Sequence, residues 1–97
     1  MAGDITLTSR VRVSDAVVSR DLEGESVLLN LASGVYFGLD PVGTRIWHLL
    51  NEPWSLPEIL DALVDEFEVA RGQCEGDLLR FIGLLREKAL IDIEVSD

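Results

Sequence analysis

The chain has little of what catalysis usually needs. Its 97 residues include one cysteine, one histidine, one methionine and three prolines, and only 8 basic residues stand against 18 acidic ones, for a formal charge of -10. A zinc site of the ordinary nitrogen and sulfur type requires three or four ligands, and Cys74 and His48 supply two. A nucleophile and base made of the same pair would need the middle of one helix and the start of another to converge. There is no D-x-[DN]-x-[DN]-G calcium loop and no G-x-x-x-x-G-K phosphate loop. The expectation is a non-enzymatic chain that uses no cofactor and no metal.

Other absences bear on location and partners. No apolar run approaches the roughly 18–20 residues of a membrane-spanning helix. Met1-Ala2-Gly3-Asp4 lacks the basic and apolar regions of an export signal, and a lone cysteine has no intramolecular partner, so a reducing cytoplasm is expected. An isoelectric point near 4.3 repels phosphate backbones and anionic lipid, which argues against nucleic acid and membrane as partners.

What is present is a foldable chain: 47% of residues are hydrophobic and the mean hydropathy is +0.23. The length fits one domain. Residues 1–15 form an arm or short strand, Arg10-Val11-Arg12-Val13 alternating too briefly to decide, and residues 16–97 form the domain proper. From Ala16 to Leu39 the pattern is that of three strands. Val17-Val18 opens the first, and Leu22-Glu23-Gly24-Glu25 is a turn. Val27, Leu29 and Leu31 share one face of the second. Ala32-Ser33-Gly34 turns again, and Val35, Phe37 and Leu39 share a face of the third.

Three helices follow. Asp40-Pro41 caps and starts the first, in which Val42, Ile46, Leu49 and Leu50 recur at helical spacing beside Trp47. Ser55 and Glu58 make a capping box for the second, whose stripe is Ile59, Leu60, Leu63, Val64 and Phe67. Val69 to Gln73, with Arg71-Gly72, reads as a loop. The third helix runs from about Cys74 to Lys88, with Leu78, Ile82, Leu85 and Ala89 repeating on one side, and Leu90 to Val95 is a short alternating tail. The fold class is α+β, a three-stranded antiparallel meander followed by three helices, of winged-helix-like size.

Two features suggest a docking surface. The third strand, Val35 to Leu39, is a sheet edge with no lysine, internal proline or inward charge to protect it, so it can template an added strand. On the third helix, Phe81 and Leu84, flanked by Asp77 and Lys88, widen the apolar arc beyond the core stripe, while Arg80 and Glu87 lie outermost. That arc fits either a deeper core or one wall of a groove.

The residues Val27 to Leu31, Gly34 to Asp40, Gly43, Ile46-Trp47 and Leu50 carry a resemblance, continued by Ser55, Glu58-Ile59, Leu63, Phe67, Asp77-Leu78, Phe81-Ile82, Leu85 and Leu90-Ile91. Together they resemble the PqqD family of small peptide chaperones, also called RiPP recognition elements. The most specific stretch, G-x-Y/F-x-L-(N/D)-x-x-G-x-x-I-W, is matched from Gly34 to Trp47, and the similarity spans about Val17 to Ile93. It implies a winged-helix-like domain that binds the leader segment of a ribosomally made precursor peptide. The leader would add as a strand at Val35, Tyr36 and Phe37, and lie against Asp77, Arg80, Phe81, Leu84, Leu85 and Lys88. Gly43 and Trp47 would have structural roles. The partner would be a modifying enzyme acting in trans, such as a radical-SAM protein of the PQQ type or a lasso-type leader peptidase. The competing reading is a winged-helix module for nucleic acid or a regulator, against which stand five acidic residues and no basic one between Glu58 and Glu68.

Overall fold

The computed structural model describes residues 5–52 and 54–94. The chain runs β1 (Arg10–Val13), β2 (Val17–Leu22), β3 (Glu25–Asn30), β4 (Val35–Gly38), α1 (Pro41–Asn51), α2 (Leu56–Phe67), α3 (Arg71–Glu87) and β5 (Ile91–Glu94). The meander forms as expected, with β2, β3 and β4 antiparallel in that order. It is not the whole of the β structure. β1 and β5 pair antiparallel as a second sheet, Arg10 opposite Glu94 and Val13 opposite Ile91. Ile5, Leu7, Val11 and Val13 pack against the core, so the described part of the arm, residues 5–15, belongs to the folded body.

The turns follow from local chemistry. Glu23 and Gly24 both have positive φ, the conformation of a two-residue hairpin whose twist suits its strands. Asn30 organises the next turn: its Oδ1 accepts from the Ala32 and Ser33 amides, and its Nδ2 donates to the Ala89 carbonyl at 3.2 Å. A buried polar side chain is thereby satisfied, and the meander is tied to the end of α3.

The helix starts agree with their caps. Asp40 accepts from the Gly43 amide at 2.7 Å, and Ser55 and Glu58 complete a reciprocal capping box. α3 departs from expectation at both ends. It begins at Arg71, through the Arg71-Gly72 pair that reads as loop, with no side-chain cap at Ala70. Packing on α2 and a 2.6 Å ion pair from Arg71 to Asp61 accompany that first turn where local signals are missing. The helix ends at Glu87, so Ala89 is not on its stripe. Ala89 takes positive φ, its amide donates to the Arg86 carbonyl, and the Leu90 amide donates back to the Leu85 carbonyl. This is a Schellman stop, with Leu90 and Leu85 buried together.

The core lies between the three helices and the inner face of the meander: Leu28, Leu39, Ile46, Trp47, Leu49, Ile59, Leu60, Leu78, Ile82, Leu85, Leu90 and Ile91 are among its members. Val42 and Phe67, which share the helical stripes, stay partly outside it. On β3 the inner residues are Ser26, Leu28 and Asn30, while Val27 and Leu29 face outward. The apolar trio grouped by alternation thus lies on the outer face.

Two polar residues hold the place where β4 leaves the sheet. The Leu39 amide donates to the Ser26 carbonyl at 2.8 Å, but the Ser26 amide donates to the Thr44 hydroxyl, also at 2.8 Å. That hydroxyl points to the Leu39 carbonyl and fastens the first turn of α1 to the parting strands. Replacing Thr44 by Val leaves a buried amide unpaired. The expected loss is about 1–3 kcal/mol in urea denaturation at an unchanged m-value, with Thr44→Ser recovering most of it. A loss below about 0.5 kcal/mol would show that the relay contributes little.

Candidate functional site

β4 presents a free edge among the described residues. Because the Leu39 amide donates to the Ser26 carbonyl, the alternation along the ladder makes Phe37 with Leu28 and Val35 with Asn30 the hydrogen-bonded pairs. The amide and carbonyl groups of Tyr36 and Gly38 therefore point away from β3, toward the open side. Side chains divide differently. Tyr36, 69% exposed, lies on the outer face with Leu29, whereas Phe37 turns inward and packs on the core.

Two residues beyond β4, at Asp40, the chain enters the wall of a cleft. Asp40, Val42, Gly43 and Ile46 supply one wall, Asp77, Leu78, Phe81, Cys74 and Gln73 on α3 another, and Leu63, Phe67, Val69 and Ala70 close the end, around a volume of about 640 Å³. The lining is mostly apolar, and it gathers Val42, Phe67 and Val69, which are large hydrophobic residues left exposed elsewhere by the core. Gly43 sets the width of its waist. A Cβ at Gly43 would stand 3.1 Å from Phe81 Cζ and from Asp40 Oδ1, so the glycine lets α1 and α3 approach through the Phe81 ring. Trp47, beside this wall, is a core residue. A shallower depression of about 520 Å³ continues along α3, lined by Asp77, Arg80, Phe81, Gly83, Leu84 and Glu87.

The residues named from sequence separate accordingly. Val35 and Tyr36 are exposed on the edge strand, and Phe37 is half-buried behind it. Asp77 and Phe81 line both cavities, and Arg80 and Leu84 line the second. Asp77 and Arg80 are also bonded to one another at 3.1 Å, both largely exposed. Lys88 caps the end of α3 in solvent and lines neither cavity. Leu85 is 0% exposed, a core residue with no surface to offer a ligand. Val42, Phe67, Val69 and Cys74 belong to the cleft and escape sequence reasoning. Helical periodicity assigns Val42 and Phe67 to the core, and Val69 falls in an apparent loop.

Cys74 and His48 do not meet in a common site. Cys74 is buried in the cleft wall, where burial and then the nearby Asp77 carboxylate push its thiol above the usual range, opposite to an activated thiolate. His48 lies in a different hollow with Ser19, Asp21, Trp47, Asn51 and Glu52, and its Nε2 is 3.2 Å from Asp21. The Asp21 carboxyl is held below its ordinary value by the Ser26 hydroxyl and then by His48. That pair ties β2 to α1. No group of three or more His, Cys, Asp or Glu side chains suited to a metal occurs among the described residues. Nor is any helix there long and apolar enough to cross a membrane.

The family model for coenzyme PQQ synthesis protein D (PqqD) matches residues 25–91. The structure of TbiB1 in complex with the TbiA(beta) leader peptide is similar at 46% identity and a TM-score of 0.83, covering 89% of this chain and 99% of its own. Lasso peptide synthetase B1 complexed with the leader peptide shares the fold at 24% identity and a TM-score of 0.80, covering 86% of this chain and 98% of its own. No curated protein matches the sequence.

Proposed function

The chain belongs to the PqqD family, and on that premise we propose that it is a non-catalytic domain that binds the leader segment of a ribosomally made precursor peptide. The observation that carries this reading is the open edge of β4, followed within two residues by Asp40 in the wall of an apolar cleft. A leader adding to that edge gains backbone hydrogen bonds from Tyr36 and Gly38, which are indifferent to its sequence. Apolar anchors entering beside Phe81 and Leu84 then supply selectivity. Asp77 and Arg80 form a charged margin to that path. Bound in this way, the peptide is held at high effective concentration for an enzyme in trans, a leader peptidase or a radical-SAM protein, in the cytoplasm.

The TbiA(beta) leader peptide is a direct probe. Saturable binding is expected by calorimetry, with amide shifts concentrated at residues 35–39 and 77–88. Tyr36→Pro removes an outward amide without touching the β3–β4 ladder, since proline is tolerated at such an edge position. It should weaken the leader about tenfold while the far-ultraviolet spectrum is unchanged. Shifts confined to α2, or a Tyr36→Pro variant that binds as well as the parent, would overturn strand addition.

A further inference from the structure

The outer face of the β2-β3-β4 sheet is not covered by any described element, yet it is the more apolar face of its central strand. Val18, Leu29 and Tyr36 stand opposite one another across the three strands, and Val27 follows in the next row beside Arg20. Leu22 continues this face in β2, and Leu31 continues the alternation of β3. Val18 is 48%, Leu22 53% and Leu31 60% exposed. The inner side of β3 meanwhile offers Ser26, Leu28 and Asn30. A sheet with one solvated face ordinarily shows the reverse pattern, polar outside and apolar within. Apolar patches left open on a small domain mark contact surfaces.

Charge and size narrow the occupant. In a chain of net charge -10, this face carries Arg20 and Glu25, with Glu23 at the adjoining hairpin, so acidic groups gather at its border and not at its centre. Strands of six, six and four residues make a face of at most roughly 14 by 20 Å, a small contact that a partner would complete on the neighbouring surface. A second copy would also bring two strongly acidic chains together. The face is continuous with β4, whose backbone edge is the proposed leader site, through the Tyr36 side chain.

We propose that this face docks the enzyme that cleaves or modifies the leader-bearing peptide, through an apolar patch on that enzyme bordered by lysine or arginine. The inference rests on the leader-binding reading: an enzyme seated here lies beside the bound peptide and extends a small contact across it. The test uses the full chain, the purified enzyme that cleaves or modifies the precursor whose leader it binds, and Val18→Glu and Leu31→Glu variants, both at well-exposed positions. Each variant should keep leader affinity within about twofold of the parent and lose enzyme affinity at least tenfold, measured with and without peptide, with precursor turnover falling in step. Unchanged enzyme affinity in both variants overturns the proposal. So does a parent dimer in sedimentation velocity that the variants make monomeric, which assigns the face to a second copy. If the parent binds the enzyme but no leader, the function proposed above fails while the docking face stands.

Discussion

Phe81→Asp is expected to weaken leader binding about a hundredfold. The ring lines both the cleft and the depression beyond it, and it touches the Gly43 wall, so of the two side chains common to both spaces, Asp77 and Phe81, it is the apolar one an anchor would pack on. Losing the burial of one large apolar contact removes about 1.5–3 kcal/mol, and a carboxylate in its place must also be desolvated. A hundredfold corresponds to about 2.7 kcal/mol. Calorimetric titration with the same leader measures it, and urea unfolding reports whether the variant is intact. Leu84→Asp, at an exposed position of the second depression, is the companion: it should fold like the parent and bind about tenfold more weakly. Parent-like binding by both variants would move the site away from α3.

Leu85→Ala has the opposite signature. Leu85 is one helical turn from Phe81 and was grouped with it by resemblance, but it is fully buried and packs where α3 stops against Leu90. Truncating it should cost about 2–5 kcal/mol of stability. In a domain of this length each kcal/mol lowers the melting temperature by roughly 4–8 °C, so a thermal melt resolves the effect clearly. Leader affinity of the folded fraction should hold within about twofold. Lost affinity with a parent-like melt would instead place Leu85 in the groove.

The contrast between Phe81 and Leu85 shows where sequence reasoning stops. Spacing puts Leu85 on the core stripe of α3 and Phe81 on the adjacent apolar arc, where it favours the core over a groove wall without excluding the latter. What separates them is the position of α1, which approaches α3 at Gly43 and leaves Phe81 at a boundary between packed interior and open cleft. Val42 and Phe67 are the same case reversed: their spacing marks core, and they line the cleft. The β1–β5 sheet is further still from local signal, since Arg10 and Glu94 pair across almost the whole chain.

The sequence by itself determined the elements whose causes are local: the Glu23-Gly24 hairpin, the Asp40 cap, the Ser55–Glu58 box and the meander they punctuate. It also carried the family pattern from Gly34 to Trp47 and, with it, the strand and the helix on which to look for a site. Only the tertiary structure decided which side of β3 faces the core, where α3 begins and ends, and which of its apolar residues remain accessible. The physical reason is that caps and turns are hydrogen bonds between near neighbours, whereas burial depends on which distant surface arrives. Ser26 and Asn30 are inside because Thr44 and Ala89 meet them there, and Leu29 is outside because no described element covers that face.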